Sequence, residues 1–280
     1  MQAVIITAYK SKSQLINLIR FFKPNFKIYI HLDKKSDLDP SDFKFPNVTV
    51  LKKYNIYWGS LNHLRAILDL VTLATLEDKV NYIHIISESD IPVRPLSDFK
   101  KFENDANIYM ECTPVDEIND PKIKERYSQG AISSNLNNKN NFIKVCNIIY
   151  GHMHRPINNI GEFNKIYKGL VWCSFPKNVG KYVISYSIEH SFLDKLNHVL
   201  IPEEFFFQTV LSNSKYLSRI KKNNLRFDKW EKKNGSLPAI LDISDINEIH
   251  QSKCYFARKI DPVISKKLIK EIIEYRDGLS

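Results

Sequence analysis

The chain has 280 residues, of which 43% are hydrophobic and 26% charged, as in an ordinary globular protein. Its formal net charge of +10 favours an anionic partner: nucleic acid, a phosphorylated small molecule or an anionic membrane surface. No long basic run, zinc-finger, RNP or basic-zipper pattern is present, so nucleic acid is not the expected partner. The chain has only 8 glycines and contains neither a GxGxxG motif nor a P-loop motif. The sequence therefore argues against a Rossmann dinucleotide site and against a P-loop phosphate site.

Strands and helices alternate over roughly the first hundred residues. Short apolar runs rich in β-branched residues predict strands, and apolar residues at helical spacing predict helices. In chain order we expect a strand at residues 3–7, a helix at 11–22, strands at 26–32 and 48–51, a helix at 61–76 and a strand at 80–86. The last strand is very apolar, which suits the centre of a sheet. The alternation predicts an α/β fold with a mixed, mostly parallel central sheet flanked by helices.

The second half of the chain is less regular. We expect strands near residues 109–111 and 254–257, and helices near 141–150, 177–186, 203–211 and 264–275. Residues 119–141 are polar and rich in Asn, which predicts a surface loop. Because no stretch has the composition of a linker, a single domain over residues 1–280 is expected.

Cysteine spacing and the first residues bear on the cellular compartment. The cysteines lie far apart and form no CxxC pair: Cys112, Cys146, Cys173 and Cys254. This spacing favours neither a zinc site nor a disulfide framework, and it predicts reduced thiols in a cytoplasmic protein. The N-terminus enters a strand without a charged leader, a long apolar segment or a cleavage site, so we expect no signal peptide or membrane anchor.

Polar residues follow several of the predicted strands. In an open α/β sheet, ligands bind beyond the carboxyl ends of the strands, which is where Thr7 and Asp33 lie. Asp33 could hydrogen-bond a nucleoside, or it could simply begin a turn. Ser60 is placed to cap the helix at residues 61–76, and Gly59 before it allows close approach of the backbone.

Glu88 and Asp90 follow the most apolar strand. Two carboxylates at this spacing could hold a divalent cation, which prefers oxygen ligands. The alternative is a tight turn before Pro92, in which Asp90 hydrogen-bonds local backbone amides.

Residues 201–209 place two carboxylates before an aromatic, apolar run. Pro202 suits the first turn of a helix, and acidic side chains after it are favoured at a helix N-terminus. Glu203 and Glu204 could therefore be ordinary helix-start residues. A carboxylate that lies half in water and half against Phe is also placed to accept a proton.

Two cations, Arg258 and Lys259, follow the strand predicted near residues 254–257. At the end of a strand they could neutralise a diphosphate leaving group without a metal ion. Arg226 and Lys229 are further candidates for this role. For all four residues the alternative is an ordinary surface cation.

Taken in order, these segments resemble the core-2/I-branching β-1,6-N-acetylglucosaminyltransferases and their xylosyltransferase relatives, glycosyltransferase family 14. The matching segments are residues 30–36, 58–60, 82–93, 169–174, 202–209 and 256–261. These segments span nearly the whole chain. The chain most resembles the compact bacterial members of the family. The resemblance implies a GT-A-like single domain, with a nucleotide-binding half to about residue 110 and an acceptor and catalytic-base half after it.

The resemblance also implies an inverting transfer from a UDP-sugar, with UDP-N-acetylglucosamine as the first expectation, and no cofactor or metal. By position, Glu204 matches the catalytic base and Lys259 the lysine that meets the diphosphate. The resemblance also matches Asp33 to an acidic residue near the nucleotide and places Glu111, Arg126 and Trp172 on the acceptor side. From their positions in the chain, Thr7 and Ser60 are further candidates on the nucleotide side, and Asp90 is a candidate near the donor sugar or acceptor. A second diphosphate-binding arginine of the family has no counterpart in residues 235–238, so Arg258 or Arg226 could replace it.

The implied acceptor is a glycan or lipid-linked glycan, as in bacterial surface polysaccharide or lipopolysaccharide synthesis. Lys266, Lys267 and Lys270 could hold the chain at an anionic inner membrane leaflet, or they could form a solvated helix face. Two other functions stay open. One is a basic, non-catalytic module that binds nucleic acid or an anionic polysaccharide. The other is a metal-dependent GT-A transferase of a different family, with Glu88 and Asp90 as ligands.

Overall fold

The computed structural model describes residues 1–121, 165–197 and 199–278, together with residues 123, 126, 145, 149, 153 and 163. Cys146, the helix predicted near residues 141–150 and most of the loop predicted at 119–141 lie outside the described residues. Within the described part, none of the helices is both long enough and apolar enough to cross a bilayer.

Strands and helices alternate in the described chain. The strands are β1 Gln2–Ala8, β2 Phe26–Leu32, β3 Val48–Leu51, β4 Tyr82–Ser87, β5 Ile91–Pro92, β6 Ile108–Tyr109, β7 Thr113–Pro114, β8 Tyr167–Lys168, β9 Ser174–Pro176, β10 Ile220–Lys221, β11 Arg226–Phe227 and β12 Phe256–Ala257. The α-helices are α1 Lys12–Phe22, α2 Leu61–Leu76, α3 Leu96–Phe99, α4 Lys177–Glu189, α5 Phe192–Lys195, α6 Phe206–Ser212, α7 Ile246–Gln251 and α8 Lys266–Gly278.

The central sheet has seven strands in the order β10-β6-β9-β4-β1-β2-β3. Only β9 runs antiparallel to its neighbours, β4 and β6, and the other pairs are parallel. This sheet confirms the predicted α/β fold. It also places β4 at the centre, as its apolar sequence predicts.

Both faces of β1 are buried, which explains its continuous apolar sequence. Successive side chains of a strand point to opposite faces. Ala3 and Ile5 pack in one apolar layer with α2 and α4. Val4 and Ile6 pack in the other layer with α1. The carboxyl ends of β1, β2 and β4 consequently meet at one edge of a sheet that is rigidly held from both sides.

A three-stranded sheet, in the order β11-β12-β5, lies beside this edge. β12 pairs antiparallel with β5, with Phe256 opposite Pro92. Beyond this pair, the backbone N–H of Ile260 donates to the carbonyl oxygen of Ser89 at 2.8 Å. The chain that carries Arg258 and Lys259 is thereby attached to the loop that follows β4.

The helix predicted at residues 203–211 is wrong at its start. Pro202–Glu204 form a 3₁₀ turn, and α6 begins only at Phe206. Ile201, before the turn, has a left-handed backbone with φ of 57°, so the chain enters the turn at an angle that an α-helix does not use. Glu204 is therefore the last residue of this 3₁₀ turn and not part of the first turn of an α-helix. Two smaller differences concern strands: β6 ends two residues before its predicted end, and β12 begins two residues after its predicted start.

Gly169, directly after β8, allows a close contact between two chain segments. A Cβ atom added at this residue would lie 2.1 Å from the carbonyl oxygen of Glu111. No side chain fits at that distance without displacement of the backbone. The residues on either side of Gly169 are thus held directly against Glu111.

We expect Gly169→Ala to lower the free energy of unfolding by about 1–3 kcal/mol, because the new methyl group overlaps a backbone oxygen that cannot turn away. Thermal or urea unfolding measures the change. Gly278→Ala is the matched control, since a Cβ atom there meets nothing within 4 Å. Equal stability of the two variants would contradict the close contact.

Candidate functional site

The turn that carries Glu204 is held from two sides. The backbone N–H of Ile201 donates to the carbonyl oxygen of Gly59, in the loop before α2, at 3.0 Å. The backbone N–H of Gly169 donates to the carbonyl oxygen of Glu204, also at 3.0 Å. These bonds satisfy backbone groups that a 3₁₀ turn leaves open, and they fix where the Glu204 side chain leaves the chain.

The Glu204 carboxylate lies in a partly buried, cationic environment. Its Oε2 atom is 3.2 Å from Nη1 of Arg126 and 3.0 Å from Nζ of Lys168, and its side chain is 15% exposed. The structure thus brings the predicted acceptor-side residue Arg126 to Glu204. Lys168 is a neighbour that sequence reasoning missed, because the two-residue strand β8 has no recognisable pattern.

Glu111 lies on the same side. Its Oε2 atom accepts from the backbone N–H of Leu170 at 3.2 Å, and its Oε1 atom accepts from Nδ2 of Asn224 at 3.0 Å. Burial raises the pKa of Glu111, the Leu170 hydrogen bond opposes the rise, and the charge of Glu204 adds to it. The charge of Glu204 therefore acts on the Glu111 carboxyl group.

Glu203 turns to a different set of partners. Its Oε1 atom is 3.0 Å from Nδ1 of His63, on the first turn of α2, and Nε2 of His63 is 3.4 Å from Oγ1 of Thr7. Oε2 of Glu203 is buried and has no partner among the described residues. From the sequence alone His63 is expected to be a packing residue of the amphipathic helix, whereas the structure places it beside Glu203 and Thr7. Thr7, predicted on the nucleotide side, is connected through it to the turn of Glu204.

Arg258 and Lys259 form a pair of cations. The Arg258 guanidinium lies 4.3 Å from the ring centre of Trp172. Arg258 is 7% exposed, and its Nε and Nη1 atoms have no partner in the described part of the chain. Burial lowers the pKa of the Lys259 ammonium, and the charge of Arg258 lowers it further. Asp228 interacts electrostatically with Arg258, but buried cationic donors without a hydrogen-bond partner are typical of an anion-binding site.

A series of contacts joins this pair, here called the cation pair, to the turn of Glu204. The Trp172 ring that lies under Arg258 meets the His63 ring edge-on, with ring centres 6.0 Å apart. His63 in turn bonds Glu203, the residue before Glu204. Trp172, predicted near the acceptor, thus lies between the cations and the carboxylates.

Asp33 begins a turn, as the structural alternative for it proposed. Its carboxylate accepts from the backbone N–H groups of Lys35 and Ile56 and from Nζ of Lys35. Burial favours a raised pKa for Asp33, but these hydrogen bonds outweigh burial and lower it. Ser60 is the N-cap residue of α2 and makes no capping bond, since its Oγ atom accepts from the backbone N–H of Tyr57 instead.

Arg226 is buried between the central sheet and the three-stranded sheet. Its guanidinium donates to Oγ of Ser174 and to the carbonyl oxygens of Ile85 and Asn224. It lies over the Phe256 ring, and the residue is 5% exposed. Burial lowers its pKa to about 10. Arg226 therefore joins the two sheets, while its Nε atom, like that of Arg258, is buried without a hydrogen-bond partner among the described residues.

Glu88 and Asp90 have local structural roles. Glu88 accepts three backbone N–H groups, from Tyr9 and Lys10 at Oε1 and from Ser11 at Oε2, at the start of α1. Oδ2 of Asp90 accepts from the backbone and hydroxyl of Ser87, while its Oδ1 is buried without a partner among the described residues. Both oxygens of Glu88 thus accept hydrogen bonds from the backbone. This does not support the alternative in which Glu88 and Asp90 bind a metal ion.

The family model described as "Branch: Core-2/I-Branching enzyme" matches residues 3–251. Xylosyltransferase sqv-6 of Caenorhabditis briggsae is 24% identical over 292 residues, which cover 90% of this chain and 34% of the relative. Xylosyltransferase oxt of Drosophila melanogaster is 25% identical, with 92% and 31% covered. The chain spans about a third of the length of these curated relatives.

Among solved structures, the apo-form glycosyltransferase GlyE of Streptococcus pneumoniae TIGR4 is similar at a TM-score of 0.39 and 12% identity, over 98% of this chain and 60% of that one. The family model covers most of the chain, including the turn of Glu204 and nearly all of the central sheet. The chain belongs to the Core-2/I-Branching enzyme family, a family of glycosyltransferases.

Proposed function

We propose that the protein transfers a sugar from a UDP-sugar to a hydroxyl group of a glycan acceptor, with inversion at the anomeric carbon. The observation that carries this proposal is the cation pair, Arg258 and Lys259. Two buried nitrogen atoms of Arg258 have no hydrogen-bond partner among the described residues, and the pair is connected through Trp172 and His63 to the turn of Glu204. An anion site and a carboxylate at one sheet edge suit a donor diphosphate and an attacking hydroxyl.

Glu204 is the proposed general base. It takes the proton of the acceptor hydroxyl while that oxygen bonds to the anomeric carbon of the donor. The bond from this carbon to the diphosphate breaks on the opposite face, and its electron pair leaves with UDP. General-base catalysis contributes roughly a hundred- to ten-thousand-fold. Glu111 and Arg126, which lie beside Glu204, are proposed to bind the acceptor.

Arg258 and Lys259 are the proposed partners of the leaving group. Negative charge on the diphosphate grows as the bond breaks, so fixed cations bind the transition state better than the ground state. Their partly buried position strengthens this effect, because solvent screens them less than surface charges. The nucleoside is proposed to lie along the carboxyl ends of β1 and β2, beside Thr7 and the turn that Asp33 begins.

Two donor sugars are the leading candidates. We propose UDP-N-acetylglucosamine first and UDP-xylose second, since the relatives compared above are named xylosyltransferases. Slow hydrolysis of UDP-GlcNAc, UDP-Xyl, UDP-Gal and UDP-Glc, measured side by side, identifies the donor. The proposed acceptor is a glycan or lipid-linked glycan of a bacterial surface polysaccharide. Contact with an anionic membrane is proposed through Lys266, Lys267 and Lys270, which are exposed on α8.

The first prediction concerns the base. Glu204→Gln keeps the shape of the side chain and removes its basicity, so we expect turnover to fall by a hundredfold or more with little change in UDP affinity. Initial rates and calorimetry measure the two quantities. Glu231→Gln, at an exposed residue, is the control. Turnover of Glu204→Gln close to that of the wild type would rule out the base assignment.

The second prediction concerns the cation pair. Lys259→Ala removes one charge from the diphosphate site, and charged hydrogen bonds contribute about 1.5–3 kcal/mol. We therefore expect UDP affinity to fall roughly 10- to 150-fold, as measured by titration calorimetry. Lys253→Ala, at an exposed lysine nearby in sequence, should bind UDP as the wild type does. Unchanged affinity in Lys259→Ala would place the diphosphate elsewhere.

The third prediction concerns metal ions. If the cation pair neutralises the diphosphate, excess EDTA should leave the rate of transfer within about twofold of its untreated value. The measurement is the initial rate with and without EDTA, on protein purified without added metal. Loss of activity in EDTA, followed by recovery with Mn²⁺, would contradict the metal-independent mechanism. It would favour a divalent cation bound by carboxylates such as Asp90.

A further inference from the structure

Residues 167–170 form a short strip that is bonded to the chain around Glu204 at several points. The backbone N–H of Tyr167 donates to Oγ1 of Thr209, and that hydroxyl donates back to the carbonyl oxygen of Tyr167, both at 3.1 Å. The carbonyl oxygen of Leu170 accepts from Nε2 of Gln208 at 2.8 Å. With the bond from Gly169 to Glu204, the strip is fixed to the turn of Glu204 and to α6.

The other edge of this strip is fixed as well. Lys168 pairs with Thr113 in the antiparallel ladder of β7 and β8. Gly169 packs so closely on Glu111 that a side chain would not fit there. The backbone position of Lys168 is therefore determined on both sides, and the freedom left to this residue lies in its side chain.

The Lys168 side chain reaches one particular atom of Glu204. Nζ is 3.0 Å from Oε2, and the Lys168 side chain is 18% exposed. Arg126 reaches the same oxygen. Oε1 of Glu204 makes no hydrogen bond to any described residue, so the two oxygens of this carboxylate are not equivalent. A carboxylate held at one oxygen has a defined orientation, and its other oxygen is directed to whatever binds beside it.

We propose that Lys168 is a positioning residue that holds Glu204 by Oε2 and thereby presents Oε1 as the atom that receives the acceptor proton. This inference rests on the proposed function. In the transfer step the acceptor proton moves to Oε1, the acceptor oxygen bonds to the anomeric carbon, and UDP leaves with the electron pair of the broken bond. Lys168 gives and takes no proton, and it stays on Oε2 throughout.

The orientation of a base matters because proton transfer needs the two heavy atoms within hydrogen-bond distance. A displacement of about 1 Å in a reacting group costs roughly a hundredfold in rate. Without Lys168, the carboxylate can rotate about its terminal bond or move toward Arg126. The donor would still bind, because the cation pair makes no contact with Lys168. Loss of Lys168 should therefore lower kcat and leave UDP binding unchanged.

The test compares Lys168→Met, which keeps the length of the chain without its charge, with Lys168→Arg, which restores a cation. Lys165→Met is the matched control, since Lys165 is exposed and lies 4.0 Å from Asp116 at the surface. For each variant we would measure kcat, the KM for the donor that the wild type uses, UDP affinity by calorimetry, and Tm. We expect kcat of Lys168→Met to fall about ten- to hundredfold with UDP affinity within twofold of the wild type. Lys168→Arg should recover a large part of kcat, and Lys165→Met should be unchanged.

The outcomes separate this inference from the proposed function. Full turnover in Lys168→Met, with an inactive Glu204→Gln, would overturn the role of Lys168 and leave the proposed base in place. A loss of kcat that Lys168→Arg does not relieve, or that follows Tm alone, would also overturn it. If the wild type uses no UDP-sugar, or if Glu204→Gln is fully active, the proposed function itself fails.

Discussion

The hydrogen bond from the Gly169 N–H to the Glu204 carbonyl oxygen is the contact on which the rest of the site depends. It joins the strip at residues 167–170 to the 3₁₀ turn at Pro202–Glu204, which is not part of a regular α-helix. Glycine is required for it, because the same residue packs directly on the backbone of Glu111. With this bond in place, Lys168, Glu111 and Glu204 are brought together from three distant parts of the chain.

The turn also directs two neighbouring carboxylates to different partners. Glu204 faces Arg126 and Lys168, whereas Glu203 faces His63. His63 and Trp172 then carry the contact to Arg258. The turn of Glu204 and the cation pair are thus connected by packed side chains, and each is anchored to a loop at the carboxyl edge of the central sheet. This arrangement supports a reaction in which one group must lose a proton while another gains negative charge.

Much of the fold could be predicted from local patterns. The bounds expected for β2, β3 and α2 agree with the structure, because buried parallel strands and an amphipathic helix impose strong periodicity on their sequences. Among site residues, residue type and order pointed to Glu204 and to the cation pair. Sequence could not assign Glu88, since an exposed metal ligand and a carboxylate that accepts three backbone N–H groups look the same in one dimension.

The sequence by itself determined the layered α/β architecture and the kinds of side chain available, because apolar periodicity and strand-end polarity are local properties. Tertiary structure alone decided which of those side chains meet. Lys168 reaches Glu204, and His63 reaches Glu203, through contacts between segments far apart in the chain. Arg226 and Arg258 are both buried, but the Arg226 guanidinium donates to three oxygen atoms of the sheet region, whereas two nitrogen atoms of Arg258 have no partner among the described residues. Long-range packing of this kind leaves no periodic signal in the chain.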